Sequence, residues 1–140
     1  MRPTRFALMA LLLAAACTAC APGPAPVATV EPVLETGETV LGQPIAWPGG
    51  TPQVTAVIVS LLPGAETGWH THPVPLFGWM LEGELTVDYG DAGTRTYRRG
   101  EALMEAIGTP HNGRNDGPAP ARILAVFLGA EGVANSEAVE

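Results

Sequence analysis

His70 and His72 alternate within the stretch GAETGWHTHPVPLFGWMLEG, residues 64–83, and the chain has one further histidine, His111, in GTPHNGRN. On an extended strand, residues i and i+2 project to the same face, so the first two imidazoles converge on one point while Thr71 turns away. Imidazole is the commonest protein ligand for divalent transition metals, and two on one strand make half of a metal site. If the fold returns residue 111 to residues 70 and 72, every histidine of the protein serves one cluster. Three protein ligands leave coordination positions open to water, dioxygen or a small molecule, as a catalytic site requires.

The elements that must position these residues are short strands. Glycine and proline number 17 and 14 among 140 residues, and 46% of the chain is apolar, a combination that favours strands and tight turns over long helices. The pattern predicts strands over Gln53–Leu62, Gly68–Thr71, Leu76–Leu81, Glu84–Tyr89, Thr94–Arg98, Ala102–Ala106 and Ala121–Leu128. Glu82-Gly83 reads as the turn of a hairpin joining the third and fourth of these, with Leu85 and Val87 on one face of the latter. Asn112–Pro120 reads as an exposed loop, and the segment after Gly129 as a polar, frayed tail. Antiparallel strands in such a series close into a jelly roll or small barrel, which protects the edges and leaves a lumen at one end. The predicted fold class is all-β, in one domain over residues 39–130 followed by a tail over 131–140.

The first twenty residues differ from the rest. Arg2 and Arg5 precede an apolar run from Phe6 to Ala16, and small residues follow up to Cys20, the three-part pattern of a signal peptide over residues 1–20. The run LLLAAACTAC, which holds both cysteines, resembles the lipobox of bacterial lipoproteins, making Cys17 and Cys20 the candidate lipidation sites. Cys17 departs from that pattern in having Ala14 three positions before it, and Cys20 in having Cys17 there; ordinary cleavage near Ala19-Cys20-Ala21 is the alternative. Residues 21–38, rich in Pro, Ala and acidic side chains, read as a flexible tether. The leader implies export to the cell envelope or periplasm with a lipid anchor, and acyl chains are the only membrane contact expected. Without Arg2 and Arg5 five arginines face fourteen acidic residues, a net charge of −9, and there is no lysine. Such a surface repels nucleic acid, which is discounted as a partner.

The segment Gly64-x5-His70-x-His72-x10-Gly83 resembles the first motif of the cupin superfamily, and Gly100-x7-Gly108-x2-His111-x3-Asn115 resembles the second. The resemblance covers residues 64–115 and implies a small single-domain cupin, a double-stranded β-helix with His70, His72 and His111 as ligands of one divalent metal, Fe, Mn, Ni, Cu or Zn. It also implies pairing of two copies as a homodimer. Two positions depart from the pattern. Ala106 stands where proline is usual, and Leu76 stands where the family's first motif has a glutamate ligand.

Loss of that carboxylate leaves three neutral imidazoles and a more Lewis-acidic ion, and some cupin-like thiol and diketone dioxygenases use such a three-histidine iron site. Leu76 shares its face with Gly78 and Met80, which predicts an apolar lumen suited to a small greasy or aromatic molecule, with Phe77 and Trp79 on the opposite face as core or subunit contact. Glu105 is the candidate additional ligand if its side chain turns inward, and a solvated charge if it turns outward. Two functions are compatible with these residues: a mononuclear metal dioxygenase or related oxidoreductase, and a non-catalytic envelope module that captures a small ligand or a metal.

Overall fold

The computed structural model describes residues 28–139, so the expected signal peptide, the first part of the tether, and Cys17 and Cys20 lie outside the described residues. The chain divides into a unit ending at Val30 and a unit from Glu31 onward, and the second carries the strands. Residues 28–36 are exposed and without regular structure, and Thr39 is the first buried residue after them.

The strands are β1 (Pro52–Leu61), β2 (His70–Thr71), β3 (Leu76–Glu82), β4 (Glu84–Asp88), β5 (Thr94–Arg98), β6 (Ala102–Met104), β7 (Asn112–Arg114), β8 (Ala121–Ala130) and β9 (Glu137–Ala138). The helical content of the described residues is one 3-10 turn, Gly90–Ala92, at the tip of the β4–β5 hairpin. The fold is thus all-β, as predicted. One sheet runs β1-β8-β3-β6 and a second runs β5-β4-β7, while β2 pairs with β9. All the pairings are antiparallel.

Alternation explains what lies between the sheets. Leu76, Gly78 and Met80 of β3, Leu85 and Val87 of β4, and Ile123, Ala125 and Phe127 of β8 are buried, while the residues between them are half-buried. A larger core cluster, including Leu61, Met80, Leu85, Val87, Leu103 and Ile123, fills one part of the interior. A smaller one, Val74, Leu76, Ala125 and Phe127, fills another.

The outer face of the four-stranded sheet is apolar too. Across its register lie the rows Ala56–Val126–Phe77–Met104 and Ile58–Leu124–Trp79–Ala102. Val54 and Ile58 are 63% and 52% exposed there. An antiparallel sheet open to water on one face normally alternates apolar with polar residues, and β1 and β8 do not.

Three expectations are corrected. β3 and β4 are not hairpin partners: β3 pairs with β8 and β6, and β4 with β5 and β7. At Gly83 the chain passes from one sheet to the other, after a register shift between Met80 and Glu82. Gly83 has φ +68°, and a Cβ there would lie 2.5 Å from the Pro120 carbonyl oxygen. A glycine between two alternating runs suits a hairpin and a sheet switch equally, because both need only a reversal at positive φ. The supposed loop 112–120 begins with β7 and buries Asn112, Gly113, Asn115 and Gly117. Asn115 fixes it, donating to the carbonyls of Leu61 and Ala119 (both 2.9 Å) and accepting from the Gly117 N–H (3.0 Å). The tail beyond Gly129 is not frayed, since β8 continues to Ala130 and β9 follows.

Gly83→Ala should lower stability by at least ~1–2 kcal/mol from left-handed backbone strain, with the close approach to Pro120 adding to it. Urea unfolding measures this, and an unchanged midpoint would show that the crossing at Gly83 is not tightly constrained.

Candidate metal centre

His70 and His111 come from segments far apart in sequence and meet through the main chain. His70 N–H donates to the His111 carbonyl (3.0 Å) and His111 N–H donates to the His70 carbonyl (2.9 Å), forming an isolated antiparallel bridge. The two side chains of this pair therefore emerge beside one another. His72 lies on the same face as His70, two residues along, where Gly108 N–H donates to its carbonyl (2.9 Å). The ring centroids of the three histidines are 4.8, 4.5 and 5.0 Å apart, and one ligand nitrogen from each lies within 4.8 Å of the others.

Each imidazole is held by its Nδ1. His70 Nδ1 bonds the Gly68 carbonyl (2.8 Å), His72 Nδ1 the Asn135 carbonyl (2.8 Å) and His111 Nδ1 the Thr109 carbonyl (2.9 Å). A carbonyl only accepts, so each Nδ1 carries the proton and each neutral ring keeps its lone pair on Nε2. His111 Nε2 is buried without a hydrogen-bond partner. A buried orphan acceptor is costly unless something fills it, and beside two further imidazole nitrogens a cation does so. The donor set and its tautomers fit a divalent transition metal held by three Nε2 atoms.

Burial pushes the pKa of His70 below its ordinary value, against the opposing hydrogen bond to Gly68. Burial likewise lowers His72 from 6.5 to about 4, outweighing the bond to Asn135. Both effects disfavour protonated rings, the state in which imidazole cannot bind a metal.

The histidines open on a cavity of about 90 Å³ lined on its apolar side by Leu76, Leu85, Val87, Leu103, Ile123 and Phe127. The Phe127 ring stands edge-on to His72, with centroids 5.4 Å apart. Leu76, in the place of the expected glutamate, lines this cavity. Gly78 and Met80 do not, although they share its face. A Cβ on Gly78 would touch the side chains of Leu103 and Ile123, and Met80 is wholly buried in the larger core cluster. The lumen narrows along β3 because neighbouring strands fill it.

Glu105 turns inward. It is 6% exposed and lines the cavity; its Oε1 accepts from the Ala106 N–H (2.7 Å) and its Oε2 lies 4.0 Å from His111 Nε2. Tyr89 lies beside it, its ring centroid 5.8 Å from that of His111 and its hydroxyl 3.2 Å from the Tyr97 hydroxyl. Burial, followed by the Glu105 charge, pushes the Tyr89 phenol upward, so it stays protonated. Glu66, in contrast, is exposed and bonded to Asn112 (2.9 Å), and Trp69 does not line the cavity. Sequence reading missed Tyr89, Phe127 and the Asn135 carbonyl. Alternation along β8 places Phe127 on the inner face, but no residue type signals a main-chain carbonyl.

The fold resembles several solved structures. An oxalate decarboxylase of Lactobacillus farciminis superposes with a TM-score of 0.54 at 23% identity, covering 61% of this chain and 26% of that one. An uncharacterized Klebsiella pneumoniae protein with a double-stranded β-helix domain gives 0.54 at 21% identity, covering 69% and 90%. A DMSP lyase gives 0.54 at 17% identity, covering 62% and 44%. At these identities the likeness concerns the fold, and this chain matches only about a quarter of the decarboxylase. No curated protein matches significantly. The Cupin domain family matches residues 57–127, about half of the chain and the part that contains all three histidines. The chain belongs to the cupin family.

Proposed function

We propose that the protein is an exported, lipid-anchored cupin in which His70, His72 and His111 hold one divalent metal, and that it acts as a metal-dependent oxidoreductase on a small apolar molecule. The observation that carries this reading is the set of three Nε2 lone pairs, each fixed by a carbonyl on its Nδ1, at the edge of an apolar cavity. A redox-active ion bound there would supply Lewis acidity and a route for dioxygen chemistry.

The chain's own residues supply the rest. Leu76, Leu103 and Phe127 exclude water and orient an apolar substrate, and among the described residues the cavity lining contains no arginine or lysine to pair with a carboxylate. That composition favours a neutral substrate, such as a small thiol, diketone or phenol, over a dicarboxylate. The 4.0 Å distance from Glu105 Oε2 to His111 Nε2 supports a role for this carboxylate as a further ligand or a proton acceptor. Export and acylation at Cys17 or Cys20 are supported by the leader-like composition of residues 1–20.

A second reading, a non-catalytic module for a small ligand or a metal, is favoured by the scarcity of acid–base groups. Apart from the histidines, Glu105 is the one titratable side chain on the cavity wall among the described residues. Dioxygen consumption by the Fe(II)-loaded protein across a panel of thiols, diketones and phenols separates the two, because tight binding with no uptake identifies the module.

Elemental analysis of protein purified without a histidine tag should give one divalent metal per chain, abolished by His111→Ala. Glu105→Gln should retain the metal with about tenfold weaker affinity. Full metal content in His111→Ala would overturn the triad.

The lowered pKa of His72 sets a pH dependence for the metal-free protein. Its unfolded chain takes up a proton near pH 6.5, whereas the folded ring does so near 4. In this window the unfolded state binds more protons, so stability is fully present above it and is lost as pH falls through it. The urea midpoint of metal-free protein should fall across that range, and more shallowly in His72→Gln. Parallel profiles would contradict the assignment.

A further inference from the structure

The segment after β8 is bonded to residues 69–72, which include two of the three histidines. Gly132, at φ +76°, turns the chain back, and Val133 packs against the Val74, Leu76, Ala125 and Phe127 cluster. Asn135 then presents its carbonyl to His72 Nδ1 at 2.8 Å. Glu137 and Ala138 pair with Thr71 and His70, and Val139 N–H donates to the Trp69 carbonyl (3.1 Å). β2 therefore lies between His111 on one side and β9 on the other.

We infer that Val133–Val139 is a clasp for the metal centre: its backbone orients His72 and braces β2, so that metal binding and clasp docking favour one another. The inference rests on the reading of the triad as a metal site. A carbonyl on the distal nitrogen fixes the tautomer, aims the ring and strengthens it as a ligand. The segment buries little of itself, since Val133 and Asn135 are half-buried and their neighbours exposed, so its docking is weak when considered alone. A weakly docked element can be shifted by a ligand that favours its docked state, and the effect is reciprocal.

The test compares the full chain with a chain ending at Gly132, using Zn(II) competition against a coloured chelator. Truncation should weaken Zn(II) binding by about 10–100-fold. Asn135→Ala should bind as the parent does, because the contact comes from the main chain. Zn(II) should also slow amide hydrogen exchange over residues 133–139 of the full chain, a change that a merely structural tail would not show. Equal affinity of the two chains, or exchange unaltered by Zn(II), overturns the clasp and leaves the metal site standing. A full chain that binds no Zn(II) removes the metal site and the clasp together. If the shortened chain does not fold, the exchange measurement decides alone.

Discussion

The reciprocal pair of main-chain hydrogen bonds between His70 and His111 is the constraint on which the metal centre depends. It joins two segments that have no local reason to meet, and it does so at two of the three histidines that could hold one metal ion. Because the bonds are made by the backbone, they leave the imidazoles free for other work. Each Nδ1 is then taken up by a carbonyl, and each Nε2 is left with a lone pair. Burial disfavours a second proton on the rings of His70 and His72.

That assembly is placed against an apolar wall. Burial disfavours charge on His70 and His72, and a cation is the natural partner for His111 Nε2, which is buried without a hydrogen bond. Leu76 removes one carboxylate from the position that the cupin pattern reserves for it, and Glu105 brings another close to His111. The balance of charge at the centre is therefore set by residues on β3 and just beyond β6. The hydroxyl pair of Tyr89 and Tyr97 continues the polar region inward, enclosed by the larger core cluster.

Much of the fold was legible because its signals are local. Alternation in Glu84–Asp88 and the apolar runs of β1 and β8 located those strands within a residue or two at most ends. The identity of strand partners was less legible. Gly83 marks a reversal whichever sheet the next strand enters, and the close approach of Pro120 that makes glycine necessary comes from residues remote in sequence. Asn112–Arg114 looked like a loop because its residues are polar or small, but their burial is satisfied by Glu66, Thr67 and the β4 ladder. Gly78 and Met80 were placed on the correct face and at the wrong depth, since alternation reports direction and not how far a neighbouring Leu103 or Ile123 reaches.

The sequence by itself determined that the chain is all-β and that its three histidines can form one set, and its resemblance to the cupin pattern set Leu76 where that pattern has a carboxylate. The first two follow from residue type and spacing, which act over a few bonds. Only the tertiary structure decided that Glu105 faces inward, that the crossing at Gly83 joins two sheets, and that the Asn135 carbonyl holds His72. The physical reason is that side-chain depth and main-chain hydrogen bonding depend on which distant segments pack together, and a carbonyl is the same chemical group at every position of the chain.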